Sequence, residues 1–389
     1  MTMYQCGSTV LFRVYLIILN YSSKPLIAYD GSRDNNFTII RILFAWAVLY
    51  GHSFAAQPFP GIRDPLNEIF QGSIWIGAIA VNGFFAISGF LVAASLVKRG
   101  IVDYMISRVL RIFPALIICV SVSVFILGPL LTTLSLNDYF SHPKTWNYLG
   151  NALGVLKMEW VLPGVFTENA RPSMNGSLWT LTVEIRCYLL LGALTFLGFR
   201  SGRFIGNILV LIIFAVGIIS FESIPLVGVN PKWSRPALYF IIGVLLYLNR
   251  DRVYLDYRVA LVAAVLAFLS FGENWFQYVF PPAFIYLIFY LAYATKPLST
   301  DAVVGDISYG VYIYAWPVQQ IVAQSFPGQT PYFNTVAASL IVVALAWLSW
   351  HGIEKRMLNY KRALLGHTDL NKLLLGFRKI LKKNPPETS

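Results

Sequence analysis

Long apolar stretches, separated by short polar or basic connections, fill the chain from residue 37 to residue 353. A transmembrane helix needs about 20 mostly apolar residues. Ten stretches approach or exceed that length, although the sixth and seventh are short. In order they cover 37–56, 74–97, 109–134, 177–199, 204–221, 235–249, 258–271, 275–295, 304–326 and 333–353. The pattern predicts an all-α, polytopic integral membrane protein with about ten transmembrane helices.

Two other apolar segments do not fit a transmembrane helix. The run over 10–20 is short and is interrupted by Arg13. The stretch over 148–166 carries charged residues and a proline, which is typical of an interfacial or re-entrant loop. The predicted divisions are therefore a cytoplasmic or interfacial extension over 1–36, a transmembrane domain over 37–354 and a basic cytoplasmic tail over 355–389.

The distribution of charge orients these helices. Of the 389 residues, 57% are apolar and 12% are charged, against about 25% charged in an ordinary soluble domain. With ten crossings, 22 of the 30 lysines and arginines fall on the side of the termini, six on the opposite side and two within the membrane. The positive-inside rule then places both termini in the cytoplasm. Because topology accounts for most of the net charge of +12, no nucleic-acid partner is expected, and the basic tail suits the anionic surface of the lipid bilayer.

The sequence contains no recognised metal or phosphate motif. Cys6, Cys119 and Cys187 have no metal-ligand spacing. There is no phosphate loop, no Gly-x-Ser-x-Gly elbow and no His-Glu-x-x-His pair. His351 and Glu354 lie three apart, but nothing nearby completes a metal site, and they are interpreted as interfacial. No metal is expected, so chemistry must come from polar side chains within the helices.

Arg41 and His52 share one face of the first predicted helix. Eleven steps of 100° return to within about 20° of the start and separate the two residues by about 16 Å along the axis. Ionisable residues inside a span are costly and usually mark a functional path. A histidine can act as a general base toward a hydroxyl. The alternative interpretation is an interfacial histidine beside the following loop.

Glu184 follows Ser177 by seven residues in a segment that is predicted to enter the membrane from outside. It then lies about 10 Å into the membrane, at a depth comparable with that of His52. A carboxylate hydrogen-bonded to the second imidazole nitrogen fixes the tautomer and stabilises the cation. The spacing therefore predicts a pair of His52 and Glu184. The alternative is a structural ion pair of Glu184 with Arg41 or Arg186.

Arg108 and Arg111 form an Arg-x-x-Arg pair at the predicted cytoplasmic start of the third helix. Residues three apart lie on one helix face, and the guanidinium fork suits phosphate. The pair is either a phosphate or pyrophosphate site or a topology anchor. Two further segments, 82–90 and 306–320, combine small residues and hydroxyls, and by themselves they indicate close helix packing.

Five motifs, in this order, resemble those of acyltransferase family 3, integral membrane proteins that O-acylate carbohydrates. They are Arg41 and His52 with ten residues between them, Gly-Phe-Phe-x-x-Ser-Gly-Phe-Leu at 83–91, Arg-x-x-Arg at 108–111, Ser-Leu-Trp-x-Leu-x-x-Glu at 177–184 and Ile-Ser-Tyr-Gly-Val-Tyr from 307. The resemblance covers roughly residues 34 to 360. Many relatives have a histidine just before the Trp-Pro of the ninth helix, where this chain has Tyr314 and Ala315. Because that alternative base is absent, the sequence favours His52 as the base. Unlike relatives with a fused extracytoplasmic esterase-like domain, the chain ends shortly after the tenth helix.

The resemblance implies a cytoplasmic acetyl-CoA donor and a location in the bacterial inner membrane. His52 and Glu184 are expected to be essential for transfer, and Arg41 is expected either to stabilise the thioester or to hold the bundle together. The implied acceptors are surface saccharides, such as lipopolysaccharide O-antigen, exopolysaccharide or lipo-oligosaccharide signals. Direct attack of an activated hydroxyl on the thioester and an acyl-histidine relay are equally compatible with these residues. The residues expected near the coenzyme are Arg108, Arg111, Ser88 and Tyr309.

Two other classes of membrane protein are alternatives. A proton-coupled transporter or flippase of a glycoconjugate uses intramembrane His, Glu and Arg residues to carry protons or bind substrate. Residues 37–199 and 204–353, however, show no convincing internal repeat. A polyprenyl-linked glycosyltransferase or polymerase is expected to carry acidic residues in a large external loop. The predicted external loop of this chain offers few candidates, namely Asp138, Glu159 and Glu168. The sequence therefore favours acyl transfer.

Overall fold

The computed structural model describes residues 23–32, 34–154, 158–298 and 305–366. Most of the predicted N-terminal extension, 1–22, and the end of the predicted tail, 367–389, lie outside these ranges. Within them the strands are β1 (Lys24–Pro25) and β2 (Tyr254–Leu255), which pair antiparallel. The α-helices are α1 (Phe37–Ala56), α2 (Pro65–Ile69), α3 (Ile76–Arg99), α4 (Ile101–Val122), α5 (Gly128–Leu131), α6 (Leu136–Ser141), α7 (Pro143–Asn147), α8 (Trp179–Ala193), α9 (Arg203–Ile219), α10 (Ser234–Leu248), α11 (Tyr257–Leu269), α12 (Phe276–Tyr293), α13 (Ser308–Ser325), α14 (Pro331–Ser349) and α15 (Lys355–Gly366). Two π-helical segments, Ser123–Leu127 and Trp350–Glu354, extend α4 and α14.

Five helical segments among the described residues are long and apolar enough to cross a membrane. They are Phe37–Ala56, Ile76–Arg99, Ile101–Leu131, Phe276–Tyr293 and Pro331–Lys361. The shorter apolar helices α9, α10 and α11 match three more of the predicted stretches, and α8 and α13 match the other two. The structure confirms a helical protein with membrane-spanning character. The count of ten crossings and the cytoplasmic placement of the termini stay predictions.

A single residue, Gly100, separates α3 from α4. Its φ of +89° lies in a region that L side chains rarely adopt, so the chain reverses there without a longer loop. As a result α4 begins well before the predicted apolar stretch over 109–134. Arg108 and Arg111 therefore lie about two and three turns inside α4 rather than at its start. The sequence prediction missed this because helical hydrogen bonding continues through polar positions.

Helices α3 and α10 pack backbone to backbone. A Cβ atom placed on Gly89 would lie 2.0 Å from the carbonyl oxygen of Phe240, and one on Gly243 would lie 2.2 Å from that of Ala86. Glycine on both helices lets the two backbones approach closely, as in other membrane helix pairs. The close packing predicted for 82–90 is confirmed.

Ion pairs tie the start of the described chain to one end of the helix bundle. Asp30 lies 2.5 Å from Lys98 Nζ and 3.2 Å from Arg250 Nε. At the same end, Lys361 of α15 lies 2.9 Å from Asp103. The segment before α1, the turn between α3 and α4, and the start of α15 thus meet at one end, which we call the basic end.

The long connection between α5 and α8 covers the opposite end of the bundle. The segment predicted to be an interfacial or re-entrant loop begins as a 3-10 helix, Tyr148–Leu153, and its described remainder contains no α-helix. Tyr148 and Phe166 are completely buried, and the hydroxyl of Tyr139 donates to the Val124 carbonyl at 2.9 Å. These buried aromatics fix the connection onto the end of α4.

Candidate active site

A cavity of about 800 Å³, including the part open to solvent, lies among α1, α3, α4, α8 and α13. Six of the seven predicted site residues line this cavity, and the seventh, His52, does not. The structure therefore gathers the residues predicted for the donor side together with Glu184, the predicted partner of the base, and places the candidate base elsewhere. The six predicted site residues in the cavity wall are Arg41, Ser88, Arg108, Arg111, Glu184 and Tyr309.

Hydroxyl groups hold Glu184 in the cavity wall. Its Oε1 atom accepts a hydrogen bond from Ser88 Oγ at 2.9 Å and another from the hydroxyl of Tyr188, one turn later on α8. The Ser88 and Tyr188 hydroxyl oxygens are 2.6 Å apart. We call these three residues the Ser88–Glu184–Tyr188 cluster. Its members satisfy one another, which compensates the cost of a carboxylate inside a membrane protein.

The predicted hydrogen bond between His52 and Glu184 is not formed. Glu184 is bound by its own cluster, and among the described residues His52 Nδ1 is buried without a hydrogen-bond partner. The alternative ion pairs are not formed with Glu184 either. Arg41 lies 3.0 Å from Asp306, and Arg186 donates to a backbone carbonyl at 2.9 Å. The prediction of comparable depth was wrong, because His52 packs beside the start of α3, whereas Glu184 bonds a serine twelve residues along that helix, about 18 Å away along its axis.

His52 lies between two tryptophans. Its ring stacks on that of Trp75, with centroids 5.4 Å apart and planes at 27°. It meets the ring of Trp316 edge to face, at 4.9 Å and 86°. Trp316 follows Tyr312, a cavity residue, by one turn of α13, and Tyr312 packs against Phe84 of α3 at 5.9 Å. His52 thus lies about one turn beyond the cavity, behind Phe84 and Tyr312.

A cluster of charges lies toward the basic end of the cavity. Asp306 pairs with Arg41 at 3.0 Å and with Arg111 at 2.7 Å. Arg111 also pairs with Glu354 at 3.0 Å, and Ser308 donates to Asp306 at 2.6 Å. Each carboxylate is matched by a guanidinium, as poorly solvated charges require. The cluster joins α1, α4, the start of α13 and the π-helical segment after α14.

Sequence reasoning missed the two acidic members of this cluster. Glu354, predicted to be interfacial together with His351, is only 1% exposed, and it ends the π-helical segment that follows α14. Such π-helical turns often occur at functional sites. Asp306 belongs to a segment that the sequence indicates only as packing. A signal was present, because arginines within apolar helices need acidic partners.

The two arginines of the Arg-x-x-Arg pair have different partners in the structure. Arg111 is bound by the two carboxylates of the charge cluster. Arg108 has no carboxylate partner among the described residues, and its guanidinium lies 5.7 Å from the ring centroid of Tyr188 in the cavity wall. Tyr309 donates its hydroxyl to the Ile112 carbonyl at 2.8 Å and so ties α13 to α4. Of the two arginines, Arg108 keeps donors available for a ligand.

A proline kink in α13 is stabilised by the segment before α8. Pro317 has no N–H, so the carbonyl of Ile313 lacks its helical donor. Asn175 Nδ2 donates to that carbonyl at 2.8 Å. Beside it, Trp316 Nε1 donates to the Ser173 carbonyl at 2.9 Å. These two hydrogen bonds fix the position of the Trp316 indole.

The chain matches a family model described as "Acyltransferase domain", that of acyltransferase family 3, over residues 34–351. The match includes the residues that line the cavity and both tryptophans beside His52. The chain belongs to acyltransferase family 3. The resemblance seen in the five sequence motifs is confirmed, and so is the prediction of an acyltransferase rather than a transporter or a glycosyltransferase.

Two relatives of this acyltransferase match it over most of its length. The O-acetyl transferase of Shigella phage Sf6 is 30% identical over 339 residues, which cover 84% of this chain and 96% of that protein. Nodulation protein 10 of Rhizobium leguminosarum bv. viciae is 27% identical over 376 residues, which cover 88% of this chain and 98% of that protein. No solved structure gives a significant match.

Proposed function

We propose that this acyltransferase transfers an acetyl group from acetyl-CoA to a hydroxyl of a cell-surface or exported saccharide. The observation that carries the proposal is the cavity, which connects Arg108, without a carboxylate partner among the described residues, to the Ser88–Glu184–Tyr188 cluster. His52 lies one turn beyond it. The relative from Shigella phage Sf6 is named an O-acetyl transferase, which supports acetyl as the group and oxygen as the acceptor atom.

On the donor side, Arg108 binds the phosphate groups of the coenzyme. A guanidinium presents a fork of donors to phosphate, and no carboxylate competes for this one among the described residues. Arg41 and Arg111 form the wall, because their shared carboxylate holds α1 and α4 against α13. Ser88 and Tyr309 line the path of the pantetheine arm.

On the acceptor side, His52 is the general base. The acceptor hydroxyl gives its proton to Nε2, the nitrogen that remains available because Nδ1 is buried. The hydroxyl oxygen attacks the thioester carbonyl carbon, the carbon–sulfur bond breaks, and the coenzyme thiolate takes the proton from the imidazolium. Glu184 does not orient His52 in this scheme. It holds the hydroxyls of Ser88 and Tyr188 along the donor path.

The proposed location is the bacterial inner membrane, with the basic end toward the cytoplasm. The donor then enters from the cytoplasm and the saccharide from the opposite side. The excess of lysine and arginine on one side of the predicted topology supports this orientation. O-antigen, exopolysaccharide and lipo-oligosaccharide signals are the acceptor classes to examine.

Replacing the base tests the proposal. Full-length protein in membranes is supplied with radiolabelled acetyl-CoA and the surface glycans of the source organism. His52→Ala is expected to lower the transfer rate by at least about 100-fold, the usual contribution of a general base. Binding of acetyl-CoA should stay unchanged, because His52 does not line the cavity. His142→Ala, which removes a partly exposed histidine that caps α7 in the long connection, is the matched control. A wild-type transfer rate in His52→Ala at matched protein level would falsify the assignment of the base.

A further inference from the structure

We infer that Trp75 and Trp316 position the His52 imidazole and that Trp75 stabilises its protonated form, in the place where a carboxylate partner would otherwise act. The inference rests on the proposed function, in which His52 is the base. It adds two positioning residues to the reaction, and neither of them belongs to the motifs that the sequence indicated as chemical.

A histidine that accepts a proton needs a fixed ring. In hydrolase triads a carboxylate bound to the second imidazole nitrogen fixes the ring and stabilises the cation. His52 has no such partner among the described residues, because Nδ1 is buried without a hydrogen bond and Glu184 is bound by hydroxyls. The contacts left to fix the imidazole are those with neighbouring rings.

Two indoles constrain the imidazole from different directions. Trp75 lies nearly parallel to it, at 27°, and limits its tilt. Trp316 lies nearly perpendicular, at 86°, and limits its rotation. Trp316 is itself fixed, since it is 6% exposed and donates to the Ser173 carbonyl at 2.9 Å. The ring of His52 is therefore held by packing rather than by a hydrogen bond.

Two glycines make room for the Trp75 indole. A Cβ atom on Gly77 would lie 1.8 Å from Trp75 Cζ3, and one on Gly51 would lie 2.8 Å from the same atom. Any side chain at position 77 would push the indole away. Gly51 directly precedes His52, so the indole covers the α1 backbone and the imidazole together. Trp75 is thus seated on α1, although it is 38% exposed.

An indole also suits the charge that His52 acquires. Tryptophan is the best aromatic partner for a cation, and the attraction grows when water is excluded. The imidazole is neutral before it takes the acceptor's proton and cationic afterwards. The Trp75 indole, whose face is stacked on the imidazole, therefore stabilises the state that follows proton transfer more than the ground state, and such differential stabilisation raises kcat. Affinity for acetyl-CoA, which binds in the cavity, should not depend on either indole.

The experiment measures kcat and acetyl-CoA affinity separately, with full-length variants in membranes, radiolabelled acetyl-CoA and the surface glycans of the source organism. Trp75→Ala and Trp316→Ala are expected to lower kcat by roughly tenfold to thirtyfold and to leave the Kd for acetyl-CoA unchanged. Trp75→Phe should retain most of the activity, because an aromatic face remains. The control is Trp347→Ala, which removes an indole 4.4 Å from the ring of another histidine, His351, outside the cavity.

Gly77→Ala displaces the indole without removing it. Its kcat should fall as in Trp75→Ala, and the double variant should be no worse than either single one, because both act on the same contact. If Trp75→Ala does not fold, Gly77→Ala and Trp75→Phe decide the question. Wild-type kcat in Gly77→Ala, or equal losses in Trp75→Phe and Trp75→Ala, would overturn the inference. A wild-type transfer rate in His52→Ala would instead overturn the assignment of the base in the proposed function.

Discussion

At the residue scale, Arg108 and Arg111 show how two identical side chains on one helix face take different tasks. The sequence presents them as an equivalent pair. In the structure Arg111 is bound by two carboxylates at 2.7 and 3.0 Å, whereas Arg108 has none among the described residues. The difference arises from the neighbouring elements, since the residues before α13 and the π-helical segment bring Asp306 and Glu354 to Arg111 and not to Arg108. We expect Arg108 to act on the ligand and Arg111 to act on the fold.

Single replacements separate these two tasks. Arg108→Ala should weaken acetyl-CoA binding by about tenfold or more, since a hydrogen bond to a charged group contributes about 1.5–3 kcal/mol, and should leave the unfolding midpoint unchanged. Arg111→Ala should lower the free energy of unfolding by about 3–5 kcal/mol, because it leaves the buried Glu354 without its cation, although Asp306 keeps its pair with Arg41. Ligand binding and thermal unfolding of the purified protein measure both effects. The reverse pattern, with stability lost in Arg108→Ala and affinity lost in Arg111→Ala, would contradict the division.

At the scale of elements, the kinked helix α13 connects the cavity to His52. Tyr312 lines the cavity and Trp316 contacts the imidazole one turn later. The kink exists because Pro317 leaves the carbonyl of Ile313 without a helical donor. Asn175, from the segment before α8, supplies the missing donor at 2.8 Å. The Asn175 side chain thus supplies a hydrogen bond that the backbone of α13 lacks, next to the site.

The effects of replacing Asn175 and Pro317 on stability should therefore be coupled. Asn175→Ala leaves the buried Ile313 carbonyl with only a weak thiol donor, that of Cys119 at 3.6 Å, which should cost about 1–3 kcal/mol of stability. Pro317→Ala returns an N–H to the helix, so Asn175→Ala should cost less in that background. Thermal unfolding of the four proteins in the cycle measures the coupling. Equal costs of Asn175→Ala in both backgrounds would show that the hydrogen bond does not serve the kink.

At the scale of the whole molecule, the two ends of the bundle differ in the contacts that hold them together, which are ion pairs at one end and buried aromatic residues at the other. The basic end joins the segment before α1, the turn at Gly100 and α15 through Asp30 and Asp103. The other end is covered by the long connection between α5 and α8, with its buried aromatics. The charge cluster lies on the basic side of the cavity and His52 on the other. A reaction with a donor and an acceptor on opposite sides of a membrane needs this arrangement.

Accessibility to an impermeant thiol reagent tests the orientation. Cys119 and Cys187 are buried, so a background with Cys6 replaced by serine should label poorly. Ser141→Cys, an exposed position in the long connection, should label in intact cells, because the proposed orientation places that connection outside. Ser201→Cys, exposed in the turn between α8 and α9, should label only after the membrane is opened. The opposite pattern would place the basic end outside and would exclude cytoplasmic acetyl-CoA as the donor at that end.

Much of the architecture could be predicted because helix position and membrane character depend on local composition. All ten apolar stretches contain helices in the structure, and six of seven predicted site residues line one cavity. The errors concern contacts between helices. The start of α4 was misplaced because the turn at Gly100 needs only one residue. Glu354 was missed because the inward position of a residue after a π-helical turn does not follow from an α-helical period.

The sequence by itself determined the helical membrane class, the family and the candidate residues, since each follows from composition and from the spacing of motifs. Tertiary structure alone decided the partner of each side chain. Glu184 bonds Ser88 and Tyr188 rather than His52, and His52 packs between Trp75 and Trp316. The physical reason is that a period of 3.6 residues fixes direction only within one helix. Which neighbour a side chain meets depends on close approaches such as that of α3 to α10, and the sequence does not state how far each helix is rotated toward the next.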